Sequence, residues 1–89
     1  MIDRNEAAML YNTKRYQEAI KVFQRLGDRE WVQQCYRALY HQEQKLLTGV
    51  KTVADVKAHA GTVRNMERYA KSSGDSQLIQ HAQSLIKHL

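Results

Sequence analysis

Apolar residues recur along this chain at intervals of three and four, the spacing of a buried helical face. The clearest case is Tyr16, Ala19, Phe23 and Leu26, with Ile20 and Val22 widening the stripe. A stripe that wide predicts a helix over about residues 14–26, contacted on two sides. Gly27 ends it, and Asp28 is placed to cap the next helix by accepting hydrogen bonds from free first-turn amides. That third helix is predicted over about residues 29–47. Trp31, Cys35, Ala38, Leu39, Gln42 and Leu46 lie along one side, flanked by Val32, Tyr36 and Tyr40.

Three further helices follow from the same reasoning. The first covers about residues 3–11, where Asp3 and Glu6 form a capping-box pattern. Asn12 and Thr13 break the chain: Asn tolerates the left-handed conformation, and Thr is a helix cap. The fourth opens at a Thr52–Asp55 capping box after Thr48-Gly49 and runs to about residue 72. Val56, Ala60, Val63, Met66 and Ala70 form its apolar face, and Gly61 inside it marks either close packing or a weak spot. Ser72-Ser73-Gly74-Asp75 is the next break. The last helix, about residues 76–88, presents Leu78, Ala82, Leu85 and Ile86 with Ile79 and Leu89 nearby. Connections of a few residues bring consecutive helices together as antiparallel neighbours. The expected fold is all-α, about five antiparallel helices in one domain over residues 1–89, as hairpins or a small irregular bundle.

Composition agrees with helices. Proline is absent and there are four glycines among 89 residues. A chain this short buries only about 60–65% of its unfolded surface. No run of about 18 apolar residues is present, so no membrane span is expected. The opening MIDRNEAAML lacks the apolar core of a secretory signal. Cys35 is the single cysteine, which excludes an intrachain disulfide and suits a reducing cytoplasm.

The segment from Ala7 to Asp28 resembles a tetratricopeptide-repeat hairpin. Tyr16, Ala19 and Phe23 match the aromatic, alanine and second aromatic of that family's helix B. Ala7 falls at the small position of helix A, and Leu10 at its second bulky apolar position. Tyr36 and Leu39 fall at the aromatic and leucine positions of a following helix A. The likeness covers about residues 4–39. Beyond it, Leu26 and Tyr40 replace small residues, the closing proline is missing, and 49–52 does not repeat the helix B opening. The resemblance implies a concave groove for a partner segment, lined by helix A residues: Arg4, Ala8, Tyr11 and Asn12. The family's carboxylate clamp uses a Lys and an Asn at the positions held here by Arg4 and Ala8, so its amide is lost. Repeat arrays are usually stable with about three units or more. This chain holds about two and a half hairpins, which calls for capping by the last helix or for a partner over an exposed apolar face.

Charge adds a second candidate surface. The net charge is +5. Lys57, Arg64, Arg68 and Lys71 fall within about 60° of arc at 100° per residue. Lys14, Lys21 and Arg25 form a similar stripe around Glu18. Such stripes meet phosphate backbones or acidic proteins, or are solvated sides of helices. A helix-turn-helix is not supported, because Gln80 stands where that motif needs an apolar residue after Gly74. His41, His59, His81 and His88 lack the three- or four-residue spacing of helical metal ligands, so neither a metal site nor a cofactor is expected. Cys35 sits on an apolar side as a buried thiol, and no phosphate loop, nucleophile elbow or acid pair is present. Trp31, Tyr36, Tyr40 and Tyr11 read as core, or alternatively as partner-groove anchors. The expected function is a non-enzymatic interaction module whose partner is another protein or a second copy. The alternative is nucleic-acid binding through the basic faces.

Overall fold

In the computed structural model, which describes residues 4–89, the chain forms six α-helices and no strand among those residues. They are α1 (Arg4–Asn12), α2 (Tyr16–Arg25), α3 (Arg29–Gln44), α4 (Val53–Ala58), α5 (Ala60–Ser73) and α6 (Ser76–Ile86); a 3₁₀ turn, Lys45–Leu47, extends α3. The main packing follows chain order: α1 on α2, α2 on α3, α3 on α5, α5 on α6. The result is a stack 48 × 22 × 16 Å, with a radius of gyration of 14.5 Å. A compact chain of this length would give about 12 Å. One apolar cluster runs through it from Ala7 to Ala82.

Helix ends follow from specific side chains. Gly27, at φ +72°, closes α2 as the left-handed residue of a Schellman motif. Its amide donates to the Gln24 carbonyl (3.1 Å), and the Asp28 amide donates to Phe23 (3.0 Å). Asp28 then caps α3: one carboxylate oxygen accepts from the Trp31 amide, and the other accepts from the Arg4 guanidinium on α1. The α5–α6 junction repeats this device. Gly74 takes φ +70°, and Asp75 accepts from the amides of Gln77 (3.0 Å) and Leu78 (3.3 Å). Its other oxygen accepts from Arg37 Nε of α3 (3.2 Å). The buried Ser73 hydroxyl donates to the Ala70 carbonyl and accepts from the Asp75 amide, so the carbonyl at the helix end is not orphaned. The Thr52–Asp55 capping box also forms, with both reciprocal hydrogen bonds.

Four expectations change. The expected fourth helix is two helices, because the chain leaves helical geometry at His59 (φ −110°, ψ 31°). The His59 ring Nδ1 lies 2.9 Å from the Asp55 carbonyl, which also accepts the His59 amide. The weak spot is therefore two residues before Gly61, around which there is open space. At the first break Thr13 does not cap α2. Its hydroxyl donates back to the Met9 and Leu10 carbonyls, and Lys14, not Asn12, takes the left-handed conformation at φ +64°. The amides of Lys14 and Arg15 donate to Tyr11 and Leu10, a second Schellman motif without glycine. Gln42 of α3 and Leu46 of the 3₁₀ turn face solvent, Leu46 at 60% exposure, although both were placed on the apolar side; Tyr40, read as core, is fully buried. Helix α3 packs between α2 and α5, so its inward surface comprises two adjoining sides and not the single line the spacing suggested. The Asp3–Glu6 capping box lies outside the described residues.

Burial constrains two ionisable groups in the centre. Tyr40 is pushed up to about 12 by desolvation, so its hydroxyl stays protonated, and it hydrogen-bonds with Nδ1 of His81 on α6. Cys35 is buried, and desolvation pushes its thiol up to about 11.

Three outcomes follow. Lys14→Gly relieves a left-handed non-glycine residue and is expected to stabilise the protein by about 0.5–1 kcal/mol, read as a melting temperature higher by a few degrees. The Cys35 thiol is expected to resist a disulfide reagent at pH 8 until denaturant exposes it, and stoichiometric labelling of folded protein would contradict its burial. The Asp28 carboxyl is held below its ordinary 3.8 by the Trp31 amide and then Arg4, and the Asp55 carboxyl by the Lys51 amide and then Thr52. Both folded values are lower than the unfolded ones. Their stabilisation is therefore complete above about 3.8 and is lost as pH falls through the folded values. Melting temperature should fall as pH drops below about 3.8, and Asp55→Asn should flatten that fall.

Candidate partner groove

Helix α1 is short and polar outside, and its one fully buried residue is Ala7, which lets α1 lie close against α2. That seating turns Arg4, Ala8, Tyr11 and Asn12 toward one concavity of about 360 Å³. All four residues singled out from the sequence line it, joined by Asn5, Phe23 of α2 and Trp31 of α3. The volume is at the lower end for ligand pockets and accommodates one or two bulky side chains.

The floor is aromatic. Phe23 and Trp31 stack, with centroids 5.5 Å apart and planes at 13°. Tyr11 meets Trp31 edge to face at 5.3 Å and 79°, and meets Tyr16 the same way at 5.3 Å and 69°. Such edge and offset contacts suit the ring quadrupoles and hold the rings in place. Trp31 remains 39% exposed, unusual for the largest side chain in the protein. The rim is polar: Arg4, Asn5 and Asn12 are exposed, and Arg4 is tethered to Asp28. Desolvation, followed by Tyr16 and Cys35, raises the Tyr11 phenol above its ordinary value. The surface thus offers amide donors and acceptors, a guanidinium and an apolar floor, with no carboxylate, imidazole or thiol in the lining.

The aromatics therefore divide. Trp31 and Tyr11 line the groove, whereas Tyr40 belongs to the core and Tyr36 packs near Tyr69 at 6.3 Å. Phe23 serves both, since it is 2% exposed yet its ring contributes to the floor. Asn5 was not legible as a groove residue. Its only signal is its position seven residues before Asn12, two turns along the same helix side.

The basic stripe is less continuous than its arc suggested. Lys57 belongs to α4, and the break at His59 separates it from Arg64, Arg68 and Lys71 on α5. All four are exposed. Arg68 donates to Asn65 Oδ1 at 3.0 Å and lies over the Tyr69 ring at 5.4 Å. Lys71 is 3.9 Å from Glu67. These partners lie on the same helix as the cations, the pattern of a solvated helix side. The histidines take separate partners: His41 meets Gln44, His59 the Asp55 carbonyl and His81 Tyr40. No group of three His, Cys, Asp or Glu residues suited to a metal occurs among the described residues. No helix among them is long and apolar enough to cross a membrane.

No protein-family model matches the chain, and comparison with curated proteins and with solved structures finds no match either.

Proposed function

We propose that this protein is a non-enzymatic interaction module that holds a segment of a partner protein in the α1 groove, on a tetratricopeptide-like hairpin. The observation that carries the reading is the convergence of Arg4, Ala8, Tyr11 and Asn12 on one pocket with a half-exposed tryptophan in its floor. Trp and Tyr are enriched among residues that dominate binding energy, and they do so from preformed, well-packed sites. Here the ring contacts keep Trp31 and Tyr11 in place before any ligand arrives, which lowers the entropy lost on binding.

The groove chemistry fits an extended peptide. Ala8 leaves space for a backbone to approach α1. Asn5 and Asn12, two turns or about 10 Å apart, match the advance of three residues in an extended chain. Each amide can both donate to and accept from a peptide unit. A bulky apolar side chain of the ligand then enters the aromatic floor. The tight α1–α2 contact through fully buried Ala7 and Ala19 is what the repeat-like reading requires of its small positions. A cytoplasmic setting goes with this reading, since the lone Cys35 needs no oxidising compartment.

Affinity capture from nuclease-treated native lysate tests the proposal, with Ala8→Arg as the comparison. Ala8 is exposed, so the variant should keep its helical circular dichroism while its side chain fills the groove. Capture of a protein partner should fall about tenfold or more. Equal capture by the variant would sink the groove as the binding site. Capture that disappears with nuclease would instead favour nucleic acid on the basic helix sides.

A further inference from the structure

The lining of the α1 groove is tilted toward hydrogen-bond donors. The Trp31 indole N–H can only donate, and the Asn5 and Asn12 amides can donate as well as accept. The Tyr11 phenol, raised above its ordinary value, stays protonated and so can also donate. None of these four side chains makes a hydrogen bond to another described residue. Arg4 is the charged residue of the lining, and its contact with Asp28 balances it. The groove therefore meets its ligand with free donors and with no net charge.

We infer, resting on the groove reading above, that the segment held there is an uncharged, proline-rich stretch of a partner protein in the polyproline II conformation. Charge is the first argument. A charged ligand would lose its hydration over an aromatic floor without meeting an unpaired opposite charge, whereas proline-rich chain is neutral. Donor balance is the second. A proline offers a carbonyl and no N–H, so it takes the donors of Trp31, Tyr11 and the asparagines without needing an acceptor in return.

Spacing is the third argument. Asn5 and Asn12 are two turns apart on one side of α1, about 10 Å. A polyproline II helix has three residues per turn and rises about 9 Å in that turn, so carbonyls three residues apart face the same way. In a β-strand the directions alternate, and groups three residues apart face opposite ways. The floor agrees with this choice. Aromatic-lined grooves hold such segments because the ligand is already ordered before it binds. Trp31 is 39% exposed, and its contacts with Phe23 and Tyr11 hold its ring in place. This sequence contains no proline, so a second copy of it offers no such segment.

The probe is an oligoproline of about ten residues, compared with a peptide of equal length alternating leucine and serine. Trp31 is the single tryptophan, so its fluorescence reports on the groove directly. Oligoproline should shift that emission to shorter wavelength until it saturates, with affinity at least about tenfold above that of the proline-free peptide. Ala8→Arg should keep its helical circular dichroism and lose about tenfold in affinity for oligoproline. Trp31→Phe keeps a ring and removes the indole donor; by calorimetry it should bind about threefold more weakly or worse. Equal binding of the two peptides, no binding of oligoproline, or oligoproline binding that Ala8→Arg leaves unchanged would overturn the inference. A dimer that Ala8→Arg disperses would do so too, since a second copy would then fill the groove. Lysate capture that still depends on Ala8 while oligoproline fails to bind would overturn the proline assignment and leave the groove standing.

Discussion

Helix α3 is the element on which every other helix depends, because it is apolar on two sides at once. Cys35, Leu39 and Tyr40 are buried in it, between α2 and α5. A helix with one apolar stripe ends a stack, whereas one with two continues it. The elongated outline follows, since each helix is covered mainly by its neighbours in the chain. Burial of Tyr40 carries a condition: a buried hydroxyl needs a partner. His81 supplies it from α6, so the middle of the stack is linked to its last helix by a polar contact as well as by packing.

The junctions set the angle between successive layers. At both Gly27-Asp28 and Gly74-Asp75 a left-handed glycine stops one helix, and an aspartate caps the next while accepting from an arginine two major helices earlier. Each of these partly solvated ion pairs contributes little stability alone. Its effect is geometric: one carboxylate oxygen fixes the helix start and the other fixes which earlier helix it sits beside. The Arg4–Asp28 contact also holds the open end of α1 over α3, and so shapes the mouth of the groove.

The α1 groove lies where α1 packs mainly on α2. At the α1 end the uncovered surface is aromatic with an amide rim. The basic side of α5 is different, because Arg68 and Lys71 already have neighbours on their own helix.

Local chemistry was legible in the sequence. Glycine and aspartate at 27–28 and 74–75, the Thr52–Asp55 box and the three–four spacing on α2 and α5 act over one turn of chain, so residue order alone reveals them. Arg4, Ala8, Tyr11 and Asn12 were singled out by the repeat resemblance, and they line one concavity. What the sequence could not reveal depends on contacts between distant segments. Which sides of α3 are covered, so that Gln42 faces solvent, is decided by α2 and α5 together. The floor of the groove needs Trp31, twenty residues beyond Tyr11, to meet it edge to face. The split at His59 is a local competition for one carbonyl that apolar spacing does not register. Helix identity, caps and one-sided surfaces belong to neighbouring residues. Which side of a two-sided helix is covered, and which concavity remains open, is determined only when the helices pack.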